Sequence, residues 1–215
     1  MLVTEINPND ELWLSKVEAP QIITDANLFA WDDEADLVIA GLGGAGIAAA
    51  NEGLDQGLTV IGIDKTNGGG ATAKSGGVYY AGGGTPIQIA AGVEDSAKNM
   101  FNYLIQETGD IVKKSTLKNF CDTSAENTQW LMDNGVQFDP SYYKIKTSYP
   151  GAGYFLYHSD NSLVPSYMEK SIPAPRGHRG FEEGPFRPIG VGGTIFHPLK
   201  KSALKKGLKI FQQTE

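Results

Sequence analysis

Residues 35–50 read ADLVIAGLGGAGIAAA, and residues 59–64 read TVIGID. The first stretch passes from an apolar strand through a glycine-rich turn into a helix of small residues, and the second is another apolar strand. Gly41 permits a tight turn after the strand, Gly43 lets backbone amides approach a pyrophosphate, and Gly46 lets the helix pack closely. The pattern therefore predicts a dinucleotide-binding cradle within a parallel sheet.

Two further features of this segment support a bound dinucleotide. The N-terminus of the predicted helix faces the phosphates with unpaired amides and the positive end of its dipole. Asp64 ends the second strand about twenty residues on, where a carboxylate accepts hydrogen bonds from ribose hydroxyls. Two alternatives stay open: a glycine turn that serves as a turn alone, and a carboxylate at Asp64 that only caps a turn.

Composition limits the classes of protein to which the chain belongs. It has 215 residues, 40% of them hydrophobic, and a formal net charge of -7, which fits a globular protein and argues against nucleic acid as its main partner. No run approaches the roughly 18 apolar residues of a membrane span. Cys121 is the single cysteine, and its place in a predicted helix favours a buried thiol over a nucleophile. We expect a cytoplasmic location.

A second run of small residues, KTNGGGATAKSGG, occupies residues 65–77. Small and hydroxyl side chains leave room for a flavin ring and expose backbone amides to it, although a flexible surface loop is the alternative. Beyond it, apolar spacing predicts helices over 97–104 and 115–134, with Asp95 or Ser96 as the cap of the first. A strand at 154–157, a helix at 199–206 and a strand at 208–211 complete the prediction.

Together, the glycine turn at 41–46, Asp64-Lys65 and the segment 70–77 resemble the fumarate reductase and succinate dehydrogenase flavoprotein superfamily. Within it, YYAGGGT at 79–85 and PAPRGH at 173–178 are most similar to the 3-ketosteroid dehydrogenases. The resemblance implies an α/β fold in which a Rossmann-like FAD-binding domain is interrupted by an α+β capping domain for the substrate. It implies an arm over 1–33, FAD-binding parts over 34–93 and 191–215, and the capping domain over 94–190.

The resemblance also implies which residues bind FAD. The pyrophosphate would lie on the glycine turn, Asp64 would bind the adenosine ribose with Lys65 beside it, and the later segment would line the pyrophosphate and flavin. Relatives with covalent flavin carry a histidine at the position of Gly70, so we expect non-covalent FAD. The implied residues are Gly41, Gly43, Gly44, Ala45, Gly46, Asp64, Lys65, Gly70, Ala71, Thr72, Ser75, Gly76 and Gly77.

The implied activity is hydride transfer between a substrate carbon and the flavin N5 atom, with an electron acceptor as second partner. Few arginines are present for a dicarboxylate, which favours an apolar ketone such as a steroid over fumarate. Arg176 and His178 are candidate substrate-binding residues, since both suit developing negative charge, although they may simply tie loops together. His158 and His197 lack neighbours at metal-ligand spacing.

The resemblance implies a chain more than twice as long, with its catalytic residues in the later half, so no catalytic residue is assigned. The strand at 208–211 would bury its apolar side chains only against sheet that is missing, and we therefore expect a truncated chain. A non-catalytic fragment that binds FAD weakly or not at all is the alternative to an enzyme. Tyr79 and Tyr80 are adjacent on a strand, so at least one should pack internally.

Overall fold

The computed structural model describes residues 22–182 and 191–214 and divides the chain into two compact units, Met1–Glu34 and Ala35–Glu215. In the first unit, the Trp31 indole donates a hydrogen bond to the Ala26 carbonyl at 2.9 Å, and its ring lies 4.6 Å from that of Phe29. Trp31 is therefore held by its own neighbours in the sequence.

The second unit contains seven helices and seven strands within the described residues. In chain order they are β1 (Leu37–Ala40), α1 (Gly44–Asp55), β2 (Val60–Asp64), α2 (Gly70–Lys74), β3 (Val78–Tyr80), α3 (Pro86–Ala90), α4 (Ala97–Thr108), α5 (Lys114–Asp133), β4 (Tyr142–Tyr143), β5 (Leu156–Tyr157), α6 (Pro165–Met168), β6 (Gly177–Arg179), α7 (Gly193–Lys206) and β7 (Lys209–Gln212).

These strands form two sheets. The first is parallel with the order β1-β2-β7, and the second is mixed with the order β3-β6-β5-β4. The chain leaves the first sheet after β2, builds the second sheet and its helices, and returns through α7 to β7. β3 pairs with β6, so the second sheet takes in a strand that lies N-terminal to the predicted boundary at residue 94.

The core of the first sheet lies between its strands and the helices α1 and α7. Ile47 of α1 and Leu199 of α7 are buried with Ile39 and Val60 of the strands. A buried amide joins the two helices, because Asn51 donates hydrogen bonds to the carbonyls of Ile47 and Leu199.

Most of the predicted elements are confirmed, with informative differences. Ser96, not Asp95, caps α4, since its side chain accepts a hydrogen bond from the Asn99 amide at 3.1 Å. α7 begins six residues earlier than predicted, at Gly193, and continues through Pro198. Its first half buries Ile195 and Phe196, and that burial outweighs the helix-breaking tendency of the proline.

Two further predictions need correction. The segment 70–77, predicted as a loop, contains the short helix α2, and the predicted strand over 154–157 is reduced to Leu156–Tyr157. The expectation that the last strand lacks a partner for its apolar side chains is wrong for Leu208, which is only 5% exposed. It packs in the same core as Ile47 and Leu199, and Ile210 lies partly buried against it.

Candidate functional site

The turn between β1 and α1 has the geometry that its glycines predict. Gly41 has φ +92°, a conformation that side chains disfavour, and its amide donates to the Ile63 carbonyl at 2.7 Å. A Cβ atom on Gly46 would lie 2.1 Å from the Gly41 carbonyl oxygen, so only glycine fits there. A Cβ atom on Gly43, in contrast, would meet no atom within 4 Å. The turn is thus closely packed at Gly46 and open to solvent space at Gly43.

The N-terminus of α1 opens onto this space. Gly43 is its N-cap and provides no side-chain hydrogen bond, and the first turn contains no acidic residue. The amides of Gly44, Ala45 and Gly46 have no acceptor within the helix, because they precede its first closed hydrogen-bonded turn. Such a helix end favours an anion through both its amides and its dipole.

The carboxylate of Asp64 already has three donors from the protein. One oxygen accepts from the Leu42 amide at 2.8 Å, and the other accepts from the Thr66 hydroxyl and amide, each at 2.7 Å. These bonds from Thr66 and Leu42 lower the pKa of Asp64, so the group is ionised at neutral pH. Asp64 therefore ties the end of β2 to the turn after β1, through Leu42, and to the turn after β2, through Thr66. Its contact with a ribose stays a prediction. Lys65, next to it, is exposed.

The second glycine-rich segment lies directly against the first. A Cβ atom on Gly44 would fall 2.5 Å from the Thr72 hydroxyl oxygen, and one on Gly70 would fall 3.4 Å from the Gly43 Cα atom. The Gly69 amide also donates to the Leu42 carbonyl at 2.7 Å. Two segments that the sequence separates by more than twenty residues thus form one surface.

Several of the residues predicted to bind FAD are exposed along these two segments. Ser75 fixes the far end of the second segment, because its hydroxyl donates to the Thr72 carbonyl and accepts from the Gly77 amide at 3.2 Å. Gly77 has φ +65°, and a Cβ atom there would lie 2.4 Å from the Val191 carbonyl oxygen. The exposed members are Gly41, Ala45, Gly70, Ala71, Ser75 and Gly76.

Arg176 lies in a fully buried ion pair. Its Nε and Nη2 atoms contact the two carboxylate oxygens of Asp95 at 2.9 and 3.0 Å, and its Nη1 atom lies 3.7 Å from an oxygen of Asp160. Burial opposes its charge, but the hydrogen bonds and charge of Asp95 outweigh burial and raise the pKa of the guanidinium. Asp160 also accepts from the Tyr80 hydroxyl at 2.8 Å. These contacts favour the alternative in which Arg176 ties segments together, and its predicted contact with substrate stays a prediction.

His178 is equally enclosed. Its Nε2 atom lies 2.9 Å from the Thr85 hydroxyl oxygen and its Nδ1 atom 3.1 Å from the Arg176 carbonyl oxygen. Burial lowers the pKa of His178 to about 4, so the ring is neutral at pH 7. Thr85 and Gln88 form the reciprocal capping pair of α3, which joins His178 to that helix. A substrate contact by His178 likewise stays a prediction.

Cys121 and Tyr79 also have internal roles. Cys121 is buried, and burial raises the pKa of its thiol to about 11, as expected for an unreactive cysteine. Tyr79 packs on the core with its ring 6.3 Å from that of Phe138. Across residues 22–182 and 191–214 no group of three or more metal-ligating side chains occurs. No helix of the described residues is both long and apolar enough to cross a membrane.

Sequence reasoning missed the partners that make these residues internal. The sequence predicts a cap role for Asp95 and offers Arg179 only as one of three arginines, and it gives no role to Asp160 or Tyr149. The Tyr149 hydroxyl donates to the Gly76 carbonyl at 2.9 Å, and Arg179 lies over its ring. These pairs are distant in sequence and follow no local motif, so no pattern in the sequence indicated them.

Comparison with known proteins places this geometry in a family. Residues 36–215 match the model of the FAD binding domain. The chain is 37% identical over 194 residues to the 3-oxo-5-alpha-steroid 4-dehydrogenase of Comamonas testosteroni, covering 89% of this chain and 36% of that protein.

Solved structures agree with this placement. The 3-ketosteroid-Δ4-(5α)-dehydrogenase of Rhodococcus jostii RHA1, solved with 4-androstene-3,17-dione, superposes with a TM-score of 0.80 at 36% identity over 87% of this chain and 39% of that one. A flavocytochrome c3 fumarate reductase in its open conformation shares the fold, with a TM-score of 0.63 at 22% identity over 83% of this chain and 26% of that one. The chain thus spans under two fifths of the length of either steroid dehydrogenase, and it belongs to the FAD binding domain family of flavoproteins.

Proposed function

We propose that the chain is the FAD-binding part of an oxidoreductase that transfers a hydride between a carbon of an apolar ketone, such as a 3-ketosteroid, and flavin. The observation that carries this proposal is the single surface formed by the two glycine-rich segments. Gly43 and Gly70 approach each other there, while the space in front of Gly43 stays open. The relationship to steroid dehydrogenases supports the class of substrate.

The residues present fit FAD. Amides at the start of α1 would hold its pyrophosphate, and the open position at Gly43 leaves room for the phosphates at the backbone. Asp64 is largely buried and already accepts from Leu42 and Thr66, and it would bind a ribose hydroxyl at its remaining edge, with Lys65 beside it. Bound FAD would supply the hydride-accepting atom, and the segment 70–77 would line its ring system. Gly70 offers no side chain for attachment, so binding would be non-covalent.

The strands and helices within residues 94–190 would form the substrate side of the site as a capping domain between the two FAD-binding parts, with β3 from the first FAD-binding part completing their sheet. In the described part of the chain both arginines, Arg176 and Arg179, are buried and bonded to the protein's own acceptors. Within that part, Arg176 Nη1 and Arg179 Nε have no hydrogen-bond partner, but both atoms are buried. Neither guanidinium is therefore exposed to a dicarboxylate, which favours a ketone over fumarate. The free thiol of Cys121 suits a reducing compartment, so we place the protein in the cytoplasm.

The test is to purify the protein, precipitate it with acid and analyse the supernatant for flavin. We expect intact FAD in solution, and flavin that stays with the precipitate would contradict non-covalent binding. Dye-linked oxidation of a 3-ketosteroid is then compared with fumarate reduction by a reduced viologen. Turnover of the steroid alone supports the proposal, turnover of fumarate alone supports a fumarate reductase, and bound FAD without either activity supports a binding fragment.

A further inference from the structure

Tyr149 makes a direct contact with the segment that the proposed function assigns to the flavin. Its hydroxyl donates to the carbonyl of Gly76 at 2.9 Å. A Cβ atom on Gly76 would lie 3.8 Å from the Tyr149 Cε2 atom, so the ring lies beside this residue. Tyr149 therefore orients the Gly76 carbonyl.

Arg179 holds Tyr149 in that place. Its guanidinium carbon lies 4.3 Å from the centre of the Tyr149 ring. Arg179 itself is buried, with only 4% of its surface exposed. The two N–H groups of one nitrogen, Nη1, are shared among three acceptors, the carbonyls of Pro150, Gly151 and Tyr154 at 3.0, 3.1 and 2.8 Å. A planar guanidinium both stacks on an aromatic ring and bonds to several acceptors, so the loop around Tyr149 is anchored to the strand β6.

The segment Ser75–Gly77 depends on such outside contacts for its order. Two of its three residues are glycines, which lose more conformational freedom on folding than other residues. The Gly192 amide donates to the Ser75 carbonyl at 2.8 Å, and the Gly180 amide donates to the Gly77 carbonyl at 3.3 Å. Tyr149 provides the contact to the peptide between these two, at Gly76.

We infer that Tyr149 and Arg179 are a positioning pair that orders the Gly76 peptide and thereby prepares the flavin half of the FAD site. This inference rests on the proposed function, because it takes the segment 70–77 as the flavin side. Neither residue needs to touch the substrate or exchange a proton. Their effect is to reduce the conformational freedom that FAD would otherwise have to remove on binding.

The experiment compares Tyr149→Phe with Tyr154→Phe as a matched control. The two tyrosines lie on the same loop and are 43% and 42% exposed, and among the described residues the Tyr154 hydroxyl makes no hydrogen bond. Each purified protein is stripped of flavin and titrated with FAD and with ADP, which probes the adenosine half alone. Hydrogen exchange of a peptide that spans residues 75–77 is measured without any ligand, and the unfolding temperature is recorded.

For Tyr149→Phe we expect FAD to bind about 2- to 12-fold more weakly, as the loss of one net hydrogen bond predicts. Binding of ADP should equal that of the wild type, and exchange over residues 75–77 should be faster. The unfolding temperature should fall by no more than about 6 °C, the shift that one lost hydrogen bond predicts. Tyr154→Phe should match the wild type in every measurement.

Three results would overturn the inference: unchanged FAD binding and exchange in Tyr149→Phe, equal losses for FAD and ADP with a lowered unfolding temperature, or the same losses in Tyr154→Phe. A wild-type protein that binds neither FAD nor ADP would overturn both this inference and the proposed function. One that binds FAD but turns over no steroid would leave this inference standing and would contradict only the proposed activity.

Discussion

Replacing Arg176 by Met separates a structural role from a substrate contact. Both Arg176 and its partner Asp95 have side chains with no solvent exposure, and two hydrogen bonds of 2.9 and 3.0 Å join them. Met fills much of the same space but carries no charge. The Asp95 carboxylate would then remain buried without its counter-ion, and the remaining donors are the neutral groups of Gly83, Gln88 and Asn99.

Breaking a buried ion pair on one side costs about 3 to 5 kcal/mol, a large fraction of a typical stability of about 5 to 15 kcal/mol. For a domain of this size, each kcal/mol lowers the unfolding temperature by roughly 2 to 4 °C, so we expect a decrease of roughly 6 to 20 °C for Arg176→Met. Urea unfolding at pH 7 measures the free energy directly. The double variant Asp95→Asn with Arg176→Met should recover part of the loss, because it removes the stranded charge.

A different outcome would refute this reasoning. If Arg176→Met unfolds within about 1 kcal/mol of the wild type, the ion pair contributes little, and the structural role is wrong. If the same variant also raises the KM for a ketone with kcat unchanged, the residue contacts substrate, as the sequence alone allows.

Three further predictions concern His178, the glycine turn and Cys121. The pKa of His178 is about 4 in the folded protein and near 6.5 in the unfolded chain, so the unfolded chain takes up its proton first as the pH falls. The contribution of neutral His178 to stability is therefore complete above pH 6.5 and decreases by up to about 3 kcal/mol as the pH falls toward 4. Urea unfolding at pH 7.5 and 4.5 should show a smaller decrease in His178→Gln than in the wild type. Gly43→Val should keep the wild-type unfolding temperature and abolish FAD binding, and undiminished FAD binding would contradict the assignment of this turn to the pyrophosphate. Gly46→Ala should instead lose about 1 to 3 kcal/mol of stability, because its Cβ atom meets the Gly41 carbonyl. Cys121, with its thiol pKa raised to about 11, should react with a thiol reagent far more slowly in the native protein than in urea, and equal rates would contradict its burial.

Local chemistry made much of the fold predictable from the sequence. The turn at residues 41–46 needs a positive φ at Gly41 and no side chain at Gly46, and both requirements belong to the residues themselves. Ser96 caps α4 through an amide three residues away, which is also a local contact. Apolar strands alternating with helices then indicated a parallel sheet. For these features, sequence neighbours are also neighbours in space, so a pattern in the sequence was sufficient.

Contacts between distant segments decided the rest. Arg176 and Asp95 are 81 residues apart, and Tyr149 and Gly76 are 73 residues apart, so no spacing in the sequence pairs them. The first half of α7 forms although Pro198 follows it, because Ile195 and Phe196 are buried against other elements. The sequence by itself determined that a glycine turn opens onto a helix end suited to a dinucleotide. Only the tertiary structure determined which charges are internal and which tyrosine holds the second glycine segment, since those contacts exist only once the chain has folded.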